Sequence, residues 1–419
     1  MNVREQAVGV LVKVKVDGGY TNILINKILK LSDFNVKDRA LFTKIIYGTI
    51  QNELFLEYQL NELLKDKKVK PFEKQLLLMS VYQFIYLDKI PSYAILNEAV
   101  EIAKKKRGHH TAKFINAVLR AFFKQGVKEV QTKDFLESLS ITNSHPLWIV
   151  KLLNKQYGLE ETKKILEANQ QIPNLTARVN TLLISKEKIL DNNKELISGI
   201  LSKDAILFNQ GNIVDSPLYQ EGLVTIQDES SQQVALLLNP KKYTKLLDMC
   251  SAPGNKTTHL SQIMENTGSI TAYDLHEHKI NLINQNCERL KINNVEALAY
   301  DSTKLKQKYS QESFDYILLD APCSGLGVVA RKPEIKYRDS NQMDTLIPLQ
   351  FELLTVAYEL LKKGGEMVYS TCTINKKENE YHINRLLEQH RDIVKVEEQT
   401  ILPYMFKSDG FYMCKLRKR

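Results

Sequence analysis

The sequence predicts a multidomain chain: an all-helical front, a small α/β linker module, and a C-terminal Rossmann-like, doubly wound α/β domain. Three observations carry this. A length of 419 residues exceeds what a single core usually fills. Apolar residues recur at three- and four-residue spacings through residues 1–140, the period of amphipathic helices. From about residue 228, short apolar runs alternate with helical stretches, the βαβ repetition of a mostly parallel sheet. The divisions expected are therefore 1–140, 141–227 and 228–419.

In the front segment, "NILINKILKLSDF" and "KQLLLMSVYQFIYLDKI" carry the helical repeat. "ILNEAVEIAKKKRGHHTAKFINAVLRAFFKQG" reads as two helices broken near Gly108, the second ended by Gly126. Residues 1–140 hold 23 Lys/Arg against 15 Asp/Glu, a net +8 of the chain's formal +9. A basic domain attached to a nearly neutral one suits a polyanion such as nucleic acid. Lys104, Lys105, Lys106 and Arg107 form its densest positive run and are candidates for phosphate contact. A solvated last turn that complements the helix dipole is the simpler alternative.

The linker starts with a helix near Pro146 in "SHPLWIVKLLNKQYG". Residues 172–225 mix short strands and helices, and the pattern alone does not order them. Beyond it, "KLLDMC", "GSITAYDL", "VEALAYD", "FDYILLD" and "GGEMVYST" read as strands. Asp248, Asp274, Asp301 and Asp320 close four of them. Ligands of doubly wound sheets bind at the carboxyl ends of strands, so these acids point to one crevice.

The loop after the first of these strands, "CSAPGNKTTHL", has a single glycine and no Gly before its Lys. It is neither a dinucleotide fingerprint nor a Walker A loop. Asp274 lies 20 residues past Gly254, where a carboxylate can accept from both ribose hydroxyls, and Asp301 can meet an adenine amino group. Ribose and adenine readers without a phosphate cradle favour S-adenosyl-L-methionine over NAD or ATP. Capping a helix is the competing use of Asp274. The five cysteines (Cys250, Cys287, Cys323, Cys372, Cys414) include no C-x-x-C pair, and with no H-E-x-x-H a metal is not expected. No apolar run of 18 residues and no signal-peptide pattern is present, so the expectation is a cytoplasmic chain without a membrane span; a monomer is also expected.

"CSAPGNKT", "DAPCSG" and "STCT" resemble the cofactor, fourth and nucleophile motifs of the bacterial 16S rRNA cytosine-C5 methyltransferases of the RsmB (Sun/Fmu) type, within the RNA m5C family. "QDESSQ", "RKPEIKYR" and "DGFYMCKL" resemble further family segments. "DRALFTKIIYGTI" and "NEAVEIAKKKRGHHTAKFINAVLR" resemble the NusB-like RNA-binding domain of this subgroup, so nearly the whole chain is covered. The resemblance implies that Cys250, Ser251, Ala252, Pro253, Gly254, Asn255 and Lys256 hold the methionine part of the cofactor, and that Asp274, Asp301 and Asp320 complete its site. It narrows the substrate to one cytosine of 16S rRNA, cytosine 967, free or in a partly assembled small subunit. Asn255 stands where the family usually has a second glycine. Asparagine is among the better non-glycine residues at positive φ.

Cytosine C5 is a weak nucleophile. Addition of a thiolate at C6 gives it enamine character, after which a base must remove the C5 proton and the thiolate must leave. Two cysteines, Cys323 and Cys372, follow predicted strands, and position alone does not choose the attacker. The resemblance assigns attack to Cys372 and gives Cys323 an assisting role in proton removal or product release; a DNA-type arrangement would attack from the Pro-Cys motif, Cys323. Asp320, three residues before Cys323, can accept from the cytosine N4 amino group and disfavour uracil. Arg331, Lys332, Lys336 and Arg338 in "RKPEIKYR" are candidates to hold phosphates beside a flipped base. Two other readings stand beside the first: a tRNA or different rRNA m5C methylase, and a non-catalytic, antitermination-like RNA-binding protein. The Asp320, Cys323 and Cys372 set argues against the last, because a binding platform has no use for paired thiols.

Overall fold

A computed structural model describes residues 2–208 and 213–419. The chain divides into two compact units, one of Met1–Gln170 with Lys332–Arg338, the other of Gln171–Arg331 with Asp339–Arg419.

The first unit is helical. Two of its helices start at polar caps that absorb free N–H groups: Asn2 and Asn35 accept from the amides of Glu5 and Asp38. Ser92–Arg107 and His109–Gln125 are separated by Gly108 at φ 86° and ψ −179°, a conformation open essentially to glycine alone. The apolar stripes of these helices meet in one core that includes Leu11, Phe42, Ile46, Leu77, Ile115 and Phe122. Three further helices, Phe135–Thr142, Leu147–Tyr157 and Leu159–Asn169, also belong to this unit. The helical unit thus runs past the expected limit at residue 140. The helical repeat continues there, and Gln51 donates to the carbonyl of Asn169.

In the second unit, β1 (Leu175–Val179), β2 (Leu196–Ser198), β3 (Ala205–Phe208) and β4 (Val224–Ile226) form an antiparallel sheet in the order β2-β3-β1-β4. Helices Lys186–Asn192 and Pro217–Gln220 make the β1–β2 and β3–β4 connections. This βαββαβ arrangement is the order that the sequence pattern left open.

The larger sheet contains β5 (Lys245–Asp248), β6 (Ser269–Asp274), β7 (Val295–Ala299), β8 (Phe314–Asp320), β9 (Leu361–Thr371), β10 (Ile393–Ile401) and β11 (Phe411–Lys418). Their order is β10-β11-β9-β8-β5-β6-β7. The first five are parallel, while β11 runs antiparallel to both β9 and β10. Successive residues feed opposite faces. Leu247, Ile317, Met367 and Tyr369 join Leu354 and Leu386 in one cluster, whereas Leu246, Leu318 and Val368 join Leu238 and Leu260 in the other. A sheet buried on both sides produces continuous apolar strands of this kind. Strand order reverses between β5 and β8, which places a switch-point crevice beyond their carboxyl ends.

Candidate active site

The loop after β5 turns sharply at Gly254, whose φ is 97°. A Cβ there would lie 3.2 Å from Cα and Cγ2 of Ile283, so both conformation and space call for glycine. Asn255 opens the helix Asn255–Ile263 and is absent from the positive-φ residues. The expectation that Asn255 must tolerate a left-handed backbone is therefore corrected: Gly254 takes that role. The Asn255 side chain donates to the Ile226 carbonyl (3.1 Å), and its own carbonyl accepts from Arg178 (2.7 Å).

The next residue reaches across the switch point. Lys256 Nζ lies 2.7 Å from Asp320 Oδ2 at the end of β8, and Ser370 Oγ donates to Asp320 Oδ1 at 2.8 Å. Burial pulls the Lys256 ammonium down, but the Asp320 charge outweighs it and raises the group above its ordinary value. Beneath them Asp248 is fully buried. It accepts from Thr257 Oγ1 at 2.7 Å, and burial pushes its carboxyl up to about 7.

The loops following β8 and β9 bring Cys323 and Cys372 together, Sγ to Sγ 3.3 Å. Both are partly exposed. The Cys323 thiol is raised well above its ordinary value, first by its hydrogen bond with Cys372, then by burial and by the Cys372 and Glu378 charges. Glu378, fully buried, ties the two loops. Its Oε2 accepts from the Ser324 amide (2.8 Å) and Gln350 Nε2 (3.0 Å), and its Oε1 from Ser324 Oγ (2.5 Å) and Asn375 Nδ2 (3.0 Å). Ser324 Oγ also lies 2.8 Å from Thr373 Oγ1. Because Ser324 spends its one proton on Glu378, Thr373 must donate in that contact. Sequence reasoning passed over Glu378; the only signal was an acid six residues after Cys372 in "CTINKKE".

Asp274 ends β6. It accepts from the Ala252 and His276 amides at 3.3 Å each and pairs with Lys279 at 3.2 Å. The Ser251 hydroxyl donates to the Tyr273 carbonyl at 2.9 Å, and Asn286 donates to the Pro253 carbonyl at 2.9 Å, so the loop is fixed on both sides. Asp301 lies two residues past β7 and caps the short helix Ser302–Gln307 through the Thr303 amide. Thr303 and Lys304 hold its carboxyl below the usual value. Cys250 is pushed well up, first by burial and then by the neighbouring carboxylates; burial also raises Cys287 to about 11 and Cys414 to about 12.

Two of the predicted RNA contacts are corrected. Lys336 is fully buried, and its Nζ donates to the Gln51 carbonyl at 2.7 Å within the helical unit; burial lowers its ammonium well below the ordinary value. Arg331 is engaged by Asp409 (Nε, 2.9 Å) and Asp228 (Nη2, 2.6 Å), which leaves little of its charge for phosphate. The physical reason is the same for both: the fold already supplies the acceptor. Lys332 and Arg338 flank Lys336 without being fully buried. In the helical unit, Lys105 and Lys106 each pair with Glu5 at 2.8 Å, Arg107 lies over the Phe72 ring, and Lys104 is exposed. Among the described residues there is no cluster of three metal-ligating side chains, and no helix long and apolar enough to cross a membrane.

A doubly wound sheet with carboxylates at its strand ends and no phosphate cradle suits a methyltransferase using a nucleoside sulfonium. The chain belongs to the 16S rRNA methyltransferase RsmB/F family. The model of that family matches residues 235–417; the NusB family model matches residues 1–124, and that of the RsmF/B-like ferredoxin-like domain matches residues 145–210. The chain is 38% identical over 442 residues to the probable ribosomal RNA small subunit methyltransferase B of Bacillus subtilis, covering 100% of this chain and 99% of that protein. It is 34% identical to the ribosomal RNA small subunit methyltransferase B of Yersinia enterocolitica, with 91% of each covered. The crystal structure of a methyltransferase homolog protein from Pyrococcus horikoshii superposes with a TM-score of 0.62 at 27% identity, over 69% of this chain and 100% of that one.

Proposed function

We propose that this protein transfers a methyl group from S-adenosyl-L-methionine to C5 of one cytosine in 16S rRNA, through a covalent bond between Cys372 and C6. The observation that carries the chemistry is the pair of sulfurs 3.3 Å apart on loops adjoining Asp320. The donor set suits the cofactor. Asp274 and Asp301 offer carboxylate oxygens for ribose hydroxyls and an adenine amine, and the start of the helix Asn255–Ile263 offers amides and Lys256 for an amino-acid carboxylate. When bound, the cofactor supplies an electrophilic methyl group.

This chain's own residues do the rest. Cys372 as thiolate adds to C6, and the electron pair shifts toward C5. Asp320 accepts from the N4 amine and holds the ring in register. After C5 is methylated, its proton passes to water, the C5–C6 double bond reforms, and Cys372 leaves as thiolate, its release assisted by the Cys323 thiol. Residues 1–140, with their net +8, grip the rRNA backbone in the cytoplasm, and the resemblance points to cytosine 967. The test uses the purified chain, 16S rRNA and S-adenosyl-L-methionine. Cys372→Ala should lose methyl transfer and form no adduct. Cys323→Ala should accumulate a protein–RNA species that survives a denaturing gel. The opposite pattern would make Cys323 the nucleophile.

A further inference from the structure

Two thiols in contact cannot both be the nucleophile, and something must decide which one keeps its proton. We propose that Glu378 is a positioning residue that holds Cys323 in its protonated form against Cys372, leaving Cys372 as the nucleophilic sulfur. This rests on the covalent reading above for its purpose, but not for its test.

Glu378 is a buried carboxylate, and among the described residues the hydrogen bonds to its carboxylate oxygens include none from a cation. Four neutral donors hold it: the Ser324 amide and hydroxyl, Gln350 and Asn375. Two of those bonds come from the residue next to Cys323, so the charge is fixed behind that sulfur. Gln350 also donates to the Pro322 carbonyl at 2.8 Å, on the other side of Cys323, and its Oε1 lies 3.0 Å from His382 Nε2. Gln350 therefore accepts from His382. Burial, aided by Arg385, lowers that imidazole to about 4, so at neutral pH it brings no positive charge toward Glu378.

The other ionisable groups complete the asymmetry. Tyr369 Oη donates to the Glu378 carbonyl at 2.6 Å and stays protonated, because burial and nearby negative groups raise it well above its usual value. Asp320 is paired with Lys256 at 2.7 Å. The Lys256 ammonium interacts electrostatically with Cys372. Cys250, partly buried beside Asp248, Asp320 and Asp274, remains a thiol. A negative charge fixed behind Cys323 and a positive one facing Cys372 separate the two thiols in the direction catalysis needs. The sulfur contact then has Cys323 as donor to the Cys372 thiolate.

The test reads the thiols directly, with the full chain and without RNA or cofactor. Limiting iodoacetamide is applied across a pH series, and mass spectrometry maps the first alkylated cysteine. In the unmodified protein Cys372 should label first, with Cys323 reacting only at distinctly higher pH. In Glu378→Gln, which keeps shape but removes charge, labelling of Cys323 relative to Cys372 should rise about tenfold at neutral pH, one unit of displacement. Glu378→Asp should restore the original order in part. Predominant labelling of Cys323 in the unmodified protein would overturn the proposal, and so would an unchanged labelling ratio and pH profile in a folded Glu378→Gln. The first outcome can be read even if the variants do not fold. A failure of rRNA methylation alone would bear on the proposed function and leave this labelling order untouched.

Discussion

Lys256–Asp320 and Arg331–Asp228–Asp409 are both cation–carboxylate clusters in the α/β unit, and both come from segments whose sequence looked functional. Their geometries differ. Arg331 spends its guanidinium on two carboxylates and the Asn174 carbonyl, and those carboxylates are only 7% and 9% exposed. Asp228 also caps the helix Glu229–Leu238 and accepts from Ser408 and the Asp409 amide. Burial alone would raise its carboxyl, but Arg331 and these donors hold it below the usual value. Asp320, by contrast, is 26% exposed and stands at the carboxyl edge of β8 beside two thiols. A charge whose partners all belong to the fold is committed to structure. One that opens on a crevice with a single cation is available to a ligand.

Arg331→Met should show the largest effect. It would leave Asp228 and Asp409 buried without their cation, a loss of about 3–5 kcal/mol of stability. Urea unfolding of the two proteins measures it. A change below about 1 kcal/mol would mean that the latch is ornamental, and the contrast between the clusters would fall.

Lys256→Met tests the other cluster. Asp320 keeps Ser370 and access to solvent, so stability should change by no more than about 1 kcal/mol. Methyl transfer should drop at least about 100-fold, as for the removal of a preorganised charge at a reacting centre. A variant that unfolds as readily as Arg331→Met would show that the two clusters do the same work.

This contrast also marks what could be read from the sequence. The five parallel strands were legible because runs such as "FDYILLD" feed both faces of a covered sheet, and Gly108 and Gly126 marked helix ends that only positive φ allows. Asp320, Cys323 and Cys372 were legible because strand ends in such sheets converge. The hairpin of β10 and β11 was missed: β10 exposes Lys395, Val396 and Glu397 in succession in "VKVEEQT", which reads as surface. "RKPEIKYR" was misread because charge density says nothing of partners. Lys336 finds the Gln51 carbonyl 285 residues earlier, and no local pattern encodes that. Glu378 escaped for the same reason, since its importance lies in four donors from three separate segments.

Asp248 sharpens the comparison from a third side, as a buried carboxyl that accepts from the Thr257 hydroxyl and has no ion pair among the described residues. Its folded value is raised from an ordinary 3.8 to about 7. The stability it lends is therefore fully present below about pH 4, where both states are protonated. It is lost as pH rises toward 7, because the unfolded chain ionises first. Asp248→Asn mimics the protonated form and should remove this slope. The variant should gain on the order of 2–4 kcal/mol relative to the unmodified protein between pH 4 and 8. Denaturant unfolding at several pH values reads the difference, and parallel curves for both proteins would show that Asp248 is ionised throughout.

The smallest effect should fall at Glu5, whose pairs with Lys105 and Lys106 resemble the Arg331 cluster only in name. These lysines are 66% and 46% exposed, so water and salt compete for both charges. Lys105→Ala should cost less than about 1 kcal/mol of stability. Its effect on RNA is the more informative measurement. If phosphate replaces Glu5 as the partner, the salt dependence of rRNA binding should fall by nearly one unit in slope, because the ion pair is weak enough to be exchanged. A filter-binding series in salt decides this. An unchanged slope would mean that Lys105 stays with Glu5 when RNA binds, and that the run from Lys104 to Arg107 is divided between structural and free charges as the two clusters of the α/β unit are.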